Sequence, residues 1–414
     1  MSDLSNVRVN GQRLWDSLME MGKIGGTPKG GCKRLALTDV DKQGRELFIS
    51  WCEAAGCAVK IDEMGNLFAW RAGEDNSLAP VVLGSHLDTQ PTGGKFDGIL
   101  GVLGGLEVIR SLNDLKIKTR HPVVAASWTN EEGSRYAPAM VASGVFAGVY
   151  SKEFAYSRLD GEGKSLGDEL ERIGYKGPEP IGFPVHAYFE LHIEQGPILE
   201  DEGYDVGIVT DGQGQRWYEI KLTGVESHAG CTPMPLRKDA LLGAARVVEF
   251  VNKIALDHPP LGLSTCGMLN PYPNSRNVIP VEVFMTCEFR HPNNDTLTAM
   301  NDELHAGLTR ICKDSGLTYE IKQVFYYAPV PFDKGCIDAV RRAAVQFGYS
   351  HRDIVAGAGH DACYMARVAP TSMVFTPCVG GLSHNELEDI KIEWSTAGAN
   401  VLMHAALEKA EIVA

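Results

Sequence analysis

The sequence predicts an α/β protein in two parts: a mixed-sheet domain with helices on both faces, interrupted by a smaller ferredoxin-like α+β domain. Three observations lead there. The chain has 414 residues, more than one hydrophobic core usually serves. Its first half alternates short apolar runs with amphipathic stretches, the pattern of strands and covering helices. Its middle switches to alternation with period two, the pattern of strands with one face covered.

Taken in order, Val81-Val82-Leu83-Gly84-Ser85 reads as a buried strand ending at His86. A glycine-rich loop follows, and then Ile99, Val102, Leu103, Leu106 and Ile109 recur at helical spacing. Pro122 to Trp128 is the next strand, ending just before Glu131-Glu132. Tyr188 to Leu191 is another, running into His192, and Thr371 to Phe375 precedes the loop to His384. The middle begins with the alternating Tyr218 to Thr223, followed by a helix from about Asp239 to Asn252. Strands at Leu263 to Met268 and Val281 to Phe289, a helix from about Thr296 to Lys313, and a strand from Thr318 to Phe325 complete it. The order βαββαβ predicts the ferredoxin-like sandwich. The expected division is residues 1–212 with 329–414 for the sheet domain, and 213–328 for the insertion.

Composition excludes several function classes. Apolar residues make up 44% and charged residues 22%, as in ordinary globular chains. The formal charge of -14, from 39 basic and 53 acidic residues, argues against nucleic acid as a partner. The apolar stretch from Ile99 to Leu112 carries Glu107 and Arg110 and is too short to span a bilayer, so no membrane partner is expected. The N-terminus shows no basic region followed by an apolar core, so no signal peptide is expected. Ten cysteines lie without CxxC pairs, which reads as reduced thiols in a cytoplasmic protein.

Five scattered residues read together as a metal site: His86, Asp97, Glu132, His192 and His384. Each lies at or just past the expected end of a strand, where open α/β sheets build their sites. Three imidazoles and two carboxylates suit two divalent ions such as Zn, Mn, Co or Ni, and such a pair makes hydroxide at neutral pH. Each residue also has a plainer reading: an aspartate just before a helix serves as an N-cap, and most Glu-Glu pairs are simply exposed. The interior strand ending at Trp128 favours the chemical reading of Glu131-Glu132, with Glu132 a ligand and Glu131 free as general base. Asp88, two residues beyond His86, is expected to orient that imidazole.

Other candidates have balanced readings. Arg290, ending a strand, suits a bidentate clamp on a substrate carboxylate or an ordinary surface arginine. Asn277 suits a substrate contact or a turn, and His228 a carbonyl-polarising group or a loop histidine. The run Ala356-Gly357-Ala358-Gly359-His360-Asp361 lacks GxGxxG spacing, which disfavours a nucleotide, but could offer backbone N–H groups to an anion.

Three motifs carry a resemblance that runs nearly end to end: Gly84-Ser85-His86-Leu87-Asp88-Thr89-Gln90-Pro91-Thr92-Gly93-Gly94, Thr129-Asn130-Glu131-Glu132-Gly133-Ser134-Arg135-Tyr136 and Glu190-Leu191-His192-Ile193-Glu194-Gln195-Gly196-Pro197. The chain resembles the dinuclear metal-dependent amidohydrolases of the aminoacylase/carboxypeptidase type. Within them it resembles the hydantoinase/carbamoylase branch: N-carbamoyl-L-amino acid amidohydrolases, β-ureidopropionase and allantoate amidohydrolase. The resemblance implies two divalent ions per subunit held by His86, Asp97, Glu132, His192 and His384, with Asp97 bridging and Glu131 as base. It implies substrate contacts from Gln195, His228, Asn277, Arg290 and the Gly359 backbone. It further implies a lid and dimerisation role for the inserted domain and a homodimer in which His228 serves the other subunit. The implied substrate is a small carboxylate bearing a ureido group. N-carbamoyl-L-amino acids are the first expectation, N-carbamoyl-β-alanine or allantoate the alternatives, and aminoacylase or dipeptidase activity lies further off.

Overall fold

The computed structural model describes residues 6–413. The chain forms two compact units, dividing after Thr210 and after Pro331; the sequence reading placed these divisions after Gly212 and Ala328. Each unit has its own hydrophobic core.

The first unit is built on a mixed sheet. Its strands lie in the order Ala58–Ile61, Leu67–Arg71, Val123–Trp128, Val81–His86, Ala187–Ile193, Thr371–Thr376 and Val206–Gly212, and His351–Ala356 pairs with the last. The four from Val123–Trp128 to Thr371–Thr376 run parallel, flanked by antiparallel neighbours. All four are buried along their whole length, which explains the apolar runs that open Val81–His86 and Val123–Trp128. Helix Ile99–Asp114 covers one face with Ile392–Ala410, and Leu191 packs against both. The helix lies so close that a Cβ on Gly101 would stand 2.3 Å from the Leu191 carbonyl oxygen. The opposite face carries Glu190, whose carboxylate accepts the Ala362 N–H of helix Asp361–Met365. Helices therefore cover both faces.

The second unit is a four-stranded antiparallel sheet in the order Leu263–Tyr272, Glu282–His291, Gly214–Thr223 and Thr318–Tyr327. Helices Ala240–Asp257 and Asn294–Ser315 start at side-chain caps from Asp239 and Asn293. Tyr218, Ile220, Leu222, Val283, Met285, Cys287 and Phe289 alternate inward to form the core. Element order and strand order together make the ferredoxin-like sandwich that the alternation predicted. All ten cysteines are free thiols. Among the described residues no helix is long and apolar enough to cross a membrane.

Candidate active site

Parallel strands end on the same side of a sheet, and here their ends converge. His86 is the last residue of its strand and sits opposite Trp128 on the neighbouring one. His192 lies within its strand rather than beyond it, opposite Phe375. Glu131 and Glu132 follow Trp128 by one short turn, and His384 lies in the loop after Thr376. The backbone is left-handed at Asn130, Gln195 and His384 (φ +57, +60 and +53), a cluster of costly conformations of the sort found at functional sites.

Asp97 stands at the centre. Its Oδ1 lies 3.1 Å from His192 Nε2 and 3.8 Å from His86 Nε2, and its Oδ2 lies 3.5 Å from His384 Nε2. His384 Nε2 is also 3.4 Å from Glu132 Oε2, while Glu131 Oε2 is 3.4 Å from His86 Nε2. Two groups result that could each hold a metal ion: His86 with Asp97 and His192, and Asp97 with Glu132 and His384. The next residue, Gly98, permits this. It has φ +74 and caps the following helix, and a Cβ there would stand 2.3 Å from the His86 ring. Gly98 thus takes the N-cap position that an aspartate before a helix often fills, and Asp97 makes no cap bond.

A second layer holds these groups. His86 Nδ1 faces the main-chain oxygen of Asp88 at 2.8 Å, and His192 Nδ1 that of Ile193 at 2.9 Å. The expectation for Asp88 is therefore corrected: its carbonyl, not its carboxylate, orients His86, because the side chain turns toward the next loop. There its two oxygens accept the backbone N–H groups of Glu131 and Glu132, both at 3.2 Å. Glu388 Oε1 accepts the N–H groups of Phe96 and Asp97 at 3.0 and 3.1 Å.

Burial sets the electrostatics. Burial, reinforced by Asp361, Glu132 and Asp88, raises the Glu131 carboxyl well above its ordinary range. Burial with Asp97 and Asp88 does the same to Glu132. Asp88 is pushed up to about 7 by burial and Asp41, and Glu388 to about 8 by burial and Asp97. Burial lowers His86 to about 4 against the pull of Asp97. Burial alone would lower His192, but the adjoining Asp97 carboxylate outweighs it and raises the imidazole to about 9. Burial would raise Asp97, yet His192, His86 and His384 hold it well below the usual carboxylate range.

These features fit cations. Asp88, Asp97, Glu131, Glu190, Asp361 and Glu388 are buried close together, with imidazoles as the only basic groups among the ligands. His192 Nε2 is buried and makes no hydrogen bond despite its approach to Asp97. A mixed imidazole and carboxylate set matches borderline divalent metals.

The other expected residues are distributed between the units. Gln195 joins the site, donating to Asp97 Oδ2 at 2.9 Å. Gly359 lies in the same unit, against Met140. His228, Asn277 and Arg290 belong to the second unit. There the short strand of His228 pairs with the one after Asn277, and Ala229 N donates to Asn277 O. His228 Nδ1 accepts from Gly230 and Cys231 N–H at 3.0 and 3.2 Å, and Arg290 Nη2 donates to both Glu288 oxygens at 3.1 Å. Sequence reasoning missed Glu190, His360, Asp361 and Glu388. Glu190, His192 and His360 form a further close group, and Ser143 Oγ donates to Asp361. The signal for His360 was present: it follows strand His351–Ala356 as the ligands follow theirs.

Residues 82–408 match peptidase family M20/M25/M40. A Rhizobium meliloti protein named N-carbamoyl-L-amino-acid amidohydrolase is 55% identical over 99% of this chain and 98% of its own. A Bacillus subtilis allantoate amidohydrolase is 33% identical over 91% of this chain and 92% of its own. A solved amidase of the hydantoinase/carbamoylase family from Burkholderia multivorans is 64% identical, with TM-score 0.96 over 98% of each chain.

Proposed function

This chain belongs to peptidase family M20/M25/M40, and we propose that it hydrolyses N-carbamoyl-L-amino acids to the free amino acid, carbon dioxide and ammonia. It is a hydrolase of amide C–N bonds, as its relatives are named. The observation that carries the reading is the placement of Glu131. Its carboxyl is buried 3.4 Å from His86, beside two cation-fitting groups that share Asp97.

We assign one divalent ion to His86, Asp97 and His192, and a second to Asp97, Glu132 and His384, drawn from Zn, Mn, Co or Ni. Bound there, two such ions supply Lewis acidity that activates water and polarises the ureido carbonyl. Glu131 accepts a proton from the attacking water and returns it to the leaving nitrogen. Burial raises its proton affinity, which strengthens it as a base. Asp88 fixes the Glu131 backbone through its carboxylate. Arg290 is assigned to the substrate carboxylate, whose position selects the bond to be cut. Gln195, Asn277 and the Gly359 backbone are assigned to the remaining polar atoms. His228 is assigned to the developing oxyanion across a cytoplasmic homodimer, with the inserted unit as lid.

The test is product release by metal-stripped protein reconstituted with Mn, Co, Ni or Zn. Ammonia from N-carbamoyl-L-methionine should appear faster than from N-carbamoyl-β-alanine or allantoate. A faster rate on allantoate would move the protein to the activity named for the Bacillus subtilis relative. Free amine from an N-acetyl amino acid alone would make it an aminoacylase. No turnover at full metal occupancy would sink the assignment.

A further inference from the structure

The two cation-fitting groups are supported differently. Behind His86 and His192 stand main-chain carbonyls, which no substitution removes. Around Glu132 and Asp97 the supports are side chains. Gln90 Nε2 donates to Glu132 Oε2 at 2.6 Å. Ser383 Oγ donates to Asp97 Oδ2 at 2.9 Å, and Gln195 Nε2 donates to that oxygen at 2.9 Å and to Ser383 Oγ at 3.1 Å. An ionised carboxylate only accepts, so the amide of Gln195 must turn its NH2 toward Asp97.

The third member of this group is its loosest. The His384 side chain is 51% exposed, against 1% for His86 and His192. Ser383 precedes it directly, so the Ser383–Asp97 bond also ties the His384 loop to the central carboxylate.

We propose that Gln90 and Ser383 are positioning residues for the cation held by Asp97, Glu132 and His384. Gln90 sets the occupancy of that position separately, because Glu132 belongs to it alone, whereas Ser383 holds an oxygen of Asp97, which the two positions share. The inference rests on the two-cation reading above. A carboxylate must be held in one rotamer before it can ligate well, and a partner that freezes it raises affinity without touching the ion. Gln90 does this for Glu132 and Ser383 for Asp97 Oδ2, the two oxygens nearest His384. The other position keeps its carbonyl-anchored imidazoles whatever stands at 90 and 383.

The experiment is a Co(II) titration of the metal-stripped full-length protein, followed by visible absorption, calorimetry and elemental analysis. Wild type should take up two ions. In Gln90→Ala one ion should bind about 10–100-fold more weakly, the usual cost of losing a partner behind a ligand, while the other is unchanged; in Ser383→Ala, which frees the shared Asp97, both should weaken. Ser383→Thr, which keeps the hydroxyl, should restore the affinity, and an unaltered melting temperature of each metal-free variant verifies its fold. Equal weakening of both ions in Gln90→Ala, or no weakening of either ion in either variant, overturns the proposal. Uptake of fewer than two ions by wild type overturns the two-cation reading itself, before any variant is made.

Discussion

The two units set their candidate groups in opposite surroundings. In the sheet unit, His86, Asp97, Glu131 and His192 are buried in or beside fully buried strands. In the inserted unit, His228 and Asn277 are exposed and Arg290 is half-buried against Glu288. Burial shifts the first set's proton affinities, so those groups are suited to moving protons and holding cations. The second set is suited to acting by charge and hydrogen-bond direction on whatever is presented to it. In the proposed function, chemistry and recognition are thus divided along the chain.

The largest effect should come from Glu131→Gln, which keeps size and removes the base. We expect kcat to fall by about 10³-fold, or ~4 kcal/mol, with both ions still bound. Steady-state kinetics with metal analysis checks this, and a variant that keeps most of its kcat would place the chemistry elsewhere.

Gly98→Ala attacks the sheet unit's geometry. The left-handed φ costs a side chain about 1–2 kcal/mol, and the approach to His86 adds to it, for roughly 3 kcal/mol in all. A melting curve and a metal count should both show the loss; an unaffected metal count would mean that the His86 ring has room to move.

Arg290→Ala tests the recognition half. Loss of a charge-assisted bond worth about 1.5–3 kcal/mol predicts a 10- to 100-fold drop in kcat/KM, with metal content and melting temperature unchanged. A drop in stability instead would show that Arg290 serves its pairing with Glu288.

The smallest and broadest effect is on pH. Asp88 and Glu388 have folded values of about 7 and about 8, raised above their unfolded ones by burial. The stability they contribute is complete below the unfolded values and is lost as pH rises through the folded ones. Glu131 and Glu132, also raised, and His192, at about 9, push the same way. The metal-free protein should therefore lose melting temperature from about pH 4, where the unfolded carboxyls ionise, up to about pH 8, where Glu388 ionises in the fold, while the cation-loaded protein should hold its own. A flat profile without metal would mean that these carboxyls are not desolvated as their burial implies.

Much of the fold was readable because its strands are simple signals. Val81–His86 and Val123–Trp128 are buried on both faces, so their apolar runs are unbroken. The inserted sheet is buried on one face, so its strands alternate. Strand His351–Ala356 went unread because its burial is irregular and its sequence carries His351, Arg352 and Asp353. Glu190 and Glu388 went unread for a different reason. A carboxylate in a strand or loop looks the same whether water or a desolvated site surrounds it, and only packing distinguishes them.

By itself the sequence determined which segments would be interior strands and which polar residues would stand at their ends, since apolar burial and side-chain alternation are local properties. It did not determine that Asp97 turns one oxygen to His192 and the other to His384, nor that the Asp88 carbonyl rather than its carboxylate meets His86. Those choices depend on parallel register, on the space left by Gly98, and on the rotamers that neighbouring loops permit. Asp97 joins groups far apart in the chain, and the Asp88 carboxylate is drawn away from His86 by the distant Glu131–Glu132 loop, so only the packed tertiary structure could decide them.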